Sequence, residues 1–170
     1  MAAHLSQPLL WARRAGCGDV GAITRIYNQG IEDRLATLET RAYTPAEMAA
    51  RLEGRDGRHP LIVAVRDGAV EGWASLNPFS PREAYRHVAD LSVYVGREHR
   101  GRGVGTFLLN DLAGRARRLG YHKLVLTAFP FNAAAMALYA RAGFRTVGVL
   151  HEQGMLDGRW VDTVMMERLL

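Results

Sequence analysis

The chain has 170 residues, 48% hydrophobic and 23% charged, with a formal net charge of +5. That is one ordinary globular domain, long enough to bury roughly two-thirds of the surface its unfolded form exposes. Its single cysteine, Cys17, excludes an intrachain disulfide framework and a thiolate zinc centre. No apolar run approaches the ~20 residues of a membrane-spanning helix. Of 22 basic residues, 21 are arginine and one, Lys123, is lysine. They are dispersed rather than clustered or interleaved with aromatics, which argues against a nucleic-acid surface and for attraction of small anions.

Residues 1–8 are expected to form a flexible N-terminus. The patch Leu9-Leu10-Trp11-Ala12 has no basic stretch before it and is too short for a signal core, so the chain reads as cytoplasmic with Cys17 a free thiol. A short strand is expected over Leu10–Arg14. Asp19 is a plausible N-cap for a helix carrying Ile23, Ile26, Tyr27 and Ile31 at helical spacing. Thr44-Pro45-Ala46-Glu47 combines a Thr cap, Pro in the first turn and Glu at the third position, so a second helix should run to about Glu53. Leu61–Arg66 and Val70–Leu76 read as strands joined by the hairpin turn Asp67-Gly68. Val88–Val95 is a further strand.

Glycines 101, 103 and 105 then open a helix bearing Val104, Leu108, Leu109, Leu112, Ala116 and Leu119, which Gly120 stops. Lys123–Ala128 reads as a buried strand, and Asn132 caps a helix to about Arg141, ended by Gly143. Phe144–Leu150 and Trp160–Glu167 close the chain as strands around Asp157-Gly158. The order β-α-α-β-β-β-α-β-α-β-β predicts an α/β fold, a mixed central sheet flanked by helices.

The segment richest in chemistry is Ser92-Val93-Tyr94-Val95 followed by Arg100-Gly101-Arg102-Gly103-Val104-Gly105-Thr106. A strand delivers the chain to a glycine loop that opens a helix. The first-turn N–H groups lack partners and the helix dipole adds positive charge, which suits a phosphate. A Walker loop requires lysine before Thr106, and a dinucleotide fingerprint requires glycine at position 106, so neither nucleotide motif fits.

Arg100-x-x-Gly103-x-Gly105 resembles the pyrophosphate loop of GNAT acyltransferases, which bind acetyl-CoA. The run from Asn132 through Tyr139 to Gly143-Phe144 resembles the second half of the same motif. A closer resemblance covers nearly the whole chain. Ile26-Tyr27-Asn28, Ala36 to Thr40, Asn77-Pro78-Phe79, Ala84 to His87, Asp90 to Val95 and Gly158 to Asp162 are similar to phosphinothricin-type N-acetyltransferases, a group that includes methionine sulfoximine and arsinothricin N-acetyltransferases. Arg86 to Asp90 and Phe129 to Asn132 look most like the arsinothricin branch.

The resemblance implies a single GNAT domain over residues 1–170. It matches Val93, Tyr94 and Val95 to the strand that pairs with the pantetheine arm. Arg100, Gly101, Arg102, Gly103, Val104, Gly105 and Thr106 match the pyrophosphate loop, and Asn132 a cofactor contact. Asp90 matches a position usually glutamate, the base for the amine proton. Tyr139 matches the general acid for the departing thiolate, where nearer relatives often carry histidine. Ser80, Pro81 and Arg82 fall where the family holds the substrate's acidic group. In several relatives an arginine occupies the Ser80 position, so here Arg82 or Arg86 would have to supply the charge. Leu91 and Ser92 complete the expected substrate-binding set.

These matches imply direct transfer from acetyl-CoA to the α-amine of a glutamate-like amino acid such as phosphinothricin, arsinothricin or methionine sulfoximine. They also imply a homodimer, with a role in detoxification or resistance. A protonated amine has no lone pair, so a base or a water relay has to remove its proton. Aspartate ordinarily titrates near ~3.9, so burial or a relay is required of Asp90. Strand N–H groups near Leu91 to Val93 would meet the oxyanion. His87, His122 and His151 show no metal spacing, and Cys17 has no motif histidine for a ping-pong route. Two other readings compete: an acetyltransferase for protein or peptide amines, with an open groove, and a non-catalytic CoA-binding sensor indifferent to loss of the Asp90 charge.

Overall fold

The computed structural model of the chain describes residues 9–170, so the expectation for residues 1–8 lies outside it. Seven strands form one mixed sheet: β1 (Trp11–Arg14), β2 (Leu61–Arg66), β3 (Ala69–Pro78), β4 (Val88–Val95), β5 (Lys123–Ala128), β6 (Arg145–Leu156) and β7 (Arg159–Leu169). Their order in the sheet is β1-β2-β3-β4-β5-β7-β6. Four helices accompany them: α1 (Val20–Glu32), α2 (Pro45–Glu53), α3 (Val104–Arg118) and α4 (Ala133–Arg141). The predicted element order stands, and the fold is the expected α/β arrangement.

Local chemistry explains most boundaries. Thr44 accepts from the Glu47 N–H while the Glu47 carboxylate accepts from the Thr44 N–H, a reciprocal cap that starts α2. Asp19 sits at the head of α1 but makes no cap bond to that helix. Its carboxylate turns back to accept from the Gly16 N–H at 2.8 Å and from both terminal nitrogens of Arg13 at 2.6 and 2.9 Å. A bidentate guanidinium outcompetes a backbone cap for a partly buried carboxylate. Asp67-Gly68 and Asp157-Gly158 place both central turn residues at positive φ, as tight two-residue hairpins require.

The sheet has a core on each face. On one, α3 packs Val104, Leu108, Leu112 and Ala116 over Ile62, Ala74, Leu76, Leu124 and Leu126. On the other, Ile23, Ile26 and Tyr27 of α1 and Met48 of α2 cover Val63, Val65 and Trp73. At the far edge, β6 is exposed along nearly its whole length. Between these regions Glu167 of β7 pairs with both Lys123 of β5 and Arg145 of β6, tying three neighbouring strands together.

The feature that creates a site lies at mid-sheet. β4 and β5 pair in parallel only through Val88, Ala89 and Asp90, opposite Lys123, Leu124 and Val125. Beyond Asp90, β4 stays paired with β3 alone, as far as Val95 opposite Gly72. β5 meanwhile stays with β7 through Ala128. The two central strands therefore part, and one edge of β4 is left without a strand partner from Leu91 onward.

Candidate active site

The gap between β4 and β5 opens into a cleft of about 790 Å³. Asp90, Leu91, Ser92, Val93, Tyr94 and Val95 line one side, with Thr127, Ala128 and Phe129 on the other. Free backbone N–H and C=O groups along a strand edge are a template for an extended amide-bearing ligand.

The cleft ends at the glycine turn. Gly101 and Gly103 have φ of 73° and 82°, where a side chain is strained. Gly103 heads α3, with no side-chain cap and no acidic residue in the first turn. Those N–H groups are thus left for an outside acceptor, in a setting that favours an anion. Gly101, Gly103, Gly105, Thr106 and Arg100 face the cleft. Arg102 and Val104 do not. Arg102 is exposed. Val104 is fully buried in the α3 core.

Asp90 stands where the strands part. Burial raises its pKa to about 6, against the opposing pull of a hydrogen bond from Asn77. That donor, Asn77 Nδ2, lies 3.3 Å from Asp90 Oδ2 and 3.2 Å from Ser92 Oγ. Tyr139, half-buried on α4, lines the same cleft. Its pKa is pushed up to about 12, first by burial and then by the negative charge of Asp90. It is therefore a protonated phenol at neutral pH, able to donate. Asn132 is already engaged at both ends of its amide: Oδ1 caps α4 by accepting from the Ala135 N–H, and Nδ2 donates to the Leu35 carbonyl at 2.8 Å.

Leu35, Ala36, Thr37 and Leu38, from the connection after α1, roof the cleft. Several contacts fasten that roof besides Asn132. Asp33 accepts from Arg97 at 2.7 Å and Arg100 at 2.6 Å, and these bonds hold its carboxyl below the usual range. Arg34 forks onto Asp157 at 3.0 and 3.1 Å. Opposite, Tyr94 stacks on Trp73 at 4.7 Å and meets Tyr27 edge-on at 5.0 Å, giving the cleft a rigid aromatic wall.

The sequence-predicted residues do not all converge. Asp90, Tyr139, Leu91, Ser92, Val93, Tyr94, Val95, the glycine turn and Asn132 share the cleft. Ser80, Pro81, Arg82 and Arg86 are not among its lining residues; they sit on the connection between β3 and β4. Arg82 and Arg86 are exposed there. The Arg86 guanidinium is turned to Glu83 at 3.0 Å and to His87 at 3.1 Å. Arg51 of α2, which the sequence did not single out, does line the cleft, its guanidinium 5.5 Å from the centre of the Tyr27 ring. Sequence reading missed it because α2 shows only its cap and its apolar face, not which sheet end it overhangs. Thr163 of β7 was missed too; its hydroxyl is buried at the cleft with no hydrogen-bond partner among the described residues. Among those residues no group of three or more His, Cys, Asp or Glu side chains is arranged to hold a metal ion. Among the described residues no helix is long and apolar enough to cross a membrane.

Comparison with known proteins agrees with this geometry. Residues 28–144 match the Acetyltransferase (GNAT) family. A methionine sulfoximine/methionine sulfone acetyltransferase from Pseudomonas paraeruginosa is 36% identical over 160 residues, 91% of each chain. The solved phosphinothricin acetyltransferase from Sinorhizobium meliloti, in complex with acetyl-CoA, superposes with a TM-score of 0.89 at 35% identity, over 95% of this chain and 88% of that one. A ribosomal-protein-alanine N-acetyltransferase from Brucella melitensis superposes at 0.91 with 37% identity, over 94% and 99%.

Proposed function

The chain belongs to the GNAT acetyltransferase family and is an N-acetyltransferase, and on that premise we propose that it moves the acetyl group of acetyl-CoA to the α-amine of a small glutamate-like amino acid. Phosphinothricin, methionine sulfoximine and arsinothricin are the candidate acceptors. The observation that carries the reading is the convergence in one cleft of an uncapped helix terminus, an unpaired strand edge and a carboxylate raised to about 6. The donor fits that cradle: the α3 terminus suits a pyrophosphate and the β4 edge suits the amides of a pantetheine arm.

When bound, acetyl-CoA supplies an acyl thioester. This chain's residues then have three tasks. Asp90, directly or through a water, accepts the proton of the incoming ammonium; a pKa near 6 leaves it mostly ionised at neutral pH yet more basic than a free aspartate. The amine nitrogen attacks the thioester carbonyl, and N–H groups along Leu91 to Val93 stabilise the oxyanion. As the carbon–sulfur bond breaks, the Tyr139 hydroxyl gives its proton to the thiolate, and the second proton of the acylated nitrogen leaves through water to restore the phenol. Arg51 is the side chain we assign to the acidic group of the substrate, in place of Arg82 and Arg86, which face solvent.

The relatives named for methionine sulfoximine and phosphinothricin support the substrate class; a role in resistance and a cytoplasmic setting are part of the same proposal. A homodimer is proposed on the outer edge of β6, where Val147, Val149, Leu150 and Met155 are exposed on a free strand. Release of free CoA with a panel of the three amino acids, methionine sulfone, glutamate and a basic peptide tests the function. A kcat/KM for one of these small amino acids at least about 100-fold above the peptide is expected, a ratio of about 2.7 kcal/mol in transition-state binding. Turnover of the peptide alone refutes the substrate class. Binding of acetyl-CoA without turnover of any amine points to a sensor.

A further inference from the structure

Arg55 follows α2 and is half-buried, and no carboxylate lies within salt-bridge distance of it among the described residues. A half-buried cation without a counterion carries a desolvation cost, and burial pulls its pKa down to about 10. Its hydrogen bonds go instead to neutral oxygens. Nε donates to the His59 carbonyl at 2.7 Å. Nη2 donates to the Leu76 carbonyl and to Asn77 Oδ1, the latter at 3.0 Å. Asn77 stands opposite Asp90 in the pairing of β3 and β4.

The amide of Asn77 therefore has a definite polarity. Its Oδ1 accepts from Arg55 and from Ser75 Oγ at 3.2 Å, while its Nδ2 donates to Asp90 and Ser92. Turned the other way, it would set an NH2 against a guanidinium, which has no acceptor, and an oxygen against a carboxylate. Only the observed orientation satisfies all four neighbours. We propose that Arg55 and Asn77 are positioning residues for the Asp90 carboxylate, Arg55 holding the side-chain amide of Asn77 with its NH2 end turned to Asp90. The inference rests on Asp90 as the proton acceptor.

The pairing answers a need of the site. Burial drives the Asp90 carboxyl towards its neutral form, so a donor that favours its charge keeps more of it ionised at neutral pH. The direct bond to Asp90 comes from β3, through Asn77. β5 sets Val125 beside it in register, α4 offers the phenol of Tyr139, which feels the Asp90 charge, and the charged side chains lining the same cleft include Arg51 of α2 and Arg141 of α4. Arg55 reaches Asp90 through Asn77, so it orients a donor without forming an ion pair that would make the base too weak.

The test is the pH dependence of kcat/KM for the amino-acid acceptor, read by CoA release between pH 5 and 9 in wild type, Arg55→Met, Arg55→Lys and Asn77→Ala. Arg55→Met is expected to move the acid limb upward by on the order of one pH unit, because the carboxylate loses an oriented donor. Asn77→Ala, which leaves Arg55 its two main-chain acceptors, gives the same displacement, the double variant adds nothing further, and Arg55→Lys restores part of it. A limb unmoved in both Arg55→Met and Asn77→Ala, whatever the loss in Tm or in plateau rate, overturns the proposal and leaves Arg55 a structural stitch. If either single variant fails to fold, the other decides alone by the same criterion, with Arg55→Lys beside it. Asp90→Asn is the separate control on the underlying reading. If it keeps the wild-type limb, Asp90 is not the base; if it abolishes the limb while Arg55→Met and Asn77→Ala do not shift it, only the positioning role fails.

Discussion

Replacing Asp90 by asparagine sets stability against catalysis, and the structure gives the size of the effect. The folded carboxyl titrates near 6 where its ordinary value is 3.8, because burial penalises the charge. A carboxyl raised on folding contributes most to stability below pH 3.8 and loses that contribution as pH rises through 6. The gap corresponds to at most about 3 kcal/mol at 1.36 kcal/mol per pKa unit. Asparagine is nearly isosteric and never ionises, and its oxygen can still accept from Asn77. The replacement amide also has to be buried, so a net gain of about 1–3 kcal/mol above pH 7 is expected. For a chain of this length that is a Tm rise of about 3–10 °C. The gain should fade between pH 6 and 4 and vanish below. Thermal unfolding of both proteins at pH 8, 6 and 4, beside CoA release at pH 8, is the assay. A variant that is inactive yet more stable at pH 8 fits the reasoning. An Asp90→Asn protein no more stable at pH 8 than at pH 4, relative to wild type, would show that the carboxylate is not desolvated, and would refute the raised pKa on which the base assignment rests.

Three further outcomes are expected. Tyr139→Phe keeps the ring packed 6.1 Å from Phe144 and should lower kcat on the order of 100-fold with little change in Tm, measured by CoA release at saturating acetyl-CoA. Gly103→Ala forces a side chain onto a φ of 82°, so it should cost about 1–2 kcal/mol in denaturant unfolding and raise KM for acetyl-CoA more than KM for the amine. Arg51→Gln should raise KM for a dianionic amino acid about tenfold with KM for acetyl-CoA unchanged, whereas Arg86→Gln, turned to Glu83, should leave both within about twofold.

What was legible in the sequence depended on whether the signal was local. The Thr44–Glu47 box, the strand over Lys123–Ala128 and the glycine stops at 120 and 143 were readable because each is fixed by chemistry within a few residues. The closing hairpin was drawn too short. β6 runs to Leu156 and β7 from Arg159 to Leu169, and register shifts interrupt their pairing near Thr146 and Leu150. An exposed strand has no buried face to impose alternation, so its ends carry no periodic mark. In the site, the glycine turn and Asp90 were legible by motif. Arg51 and the roof over Leu35–Leu38 were not, because they reach the cleft only through the packing of α1 and α2 on the sheet, and Arg55 was not, because it meets Asn77 only once the chain after α2 is folded against β3. Arg82 and Arg86 show the converse. Nearness in sequence to Asp90 does not bring them to the cleft when a turn centred on Glu83–Tyr85 carries them outward.

The sole lysine of the chain, Lys123, has its ammonium against Glu167 on the sheet. Every other basic side chain apart from the histidines is a guanidinium, which stays protonated at any pH at which the protein works and so offers no nucleophilic nitrogen. An activated thioester acylates free amines without assistance, and a surface rich in lysine would slowly lose its positive charge to the very donor it attracts. Here the charge that draws an anionic donor is carried almost wholly in a form that donor cannot modify. Prolonged incubation with excess acetyl thioester should therefore leave the electrophoretic mobility set by the side chains nearly unaltered: the basicity of this protein is resistant to its own chemistry.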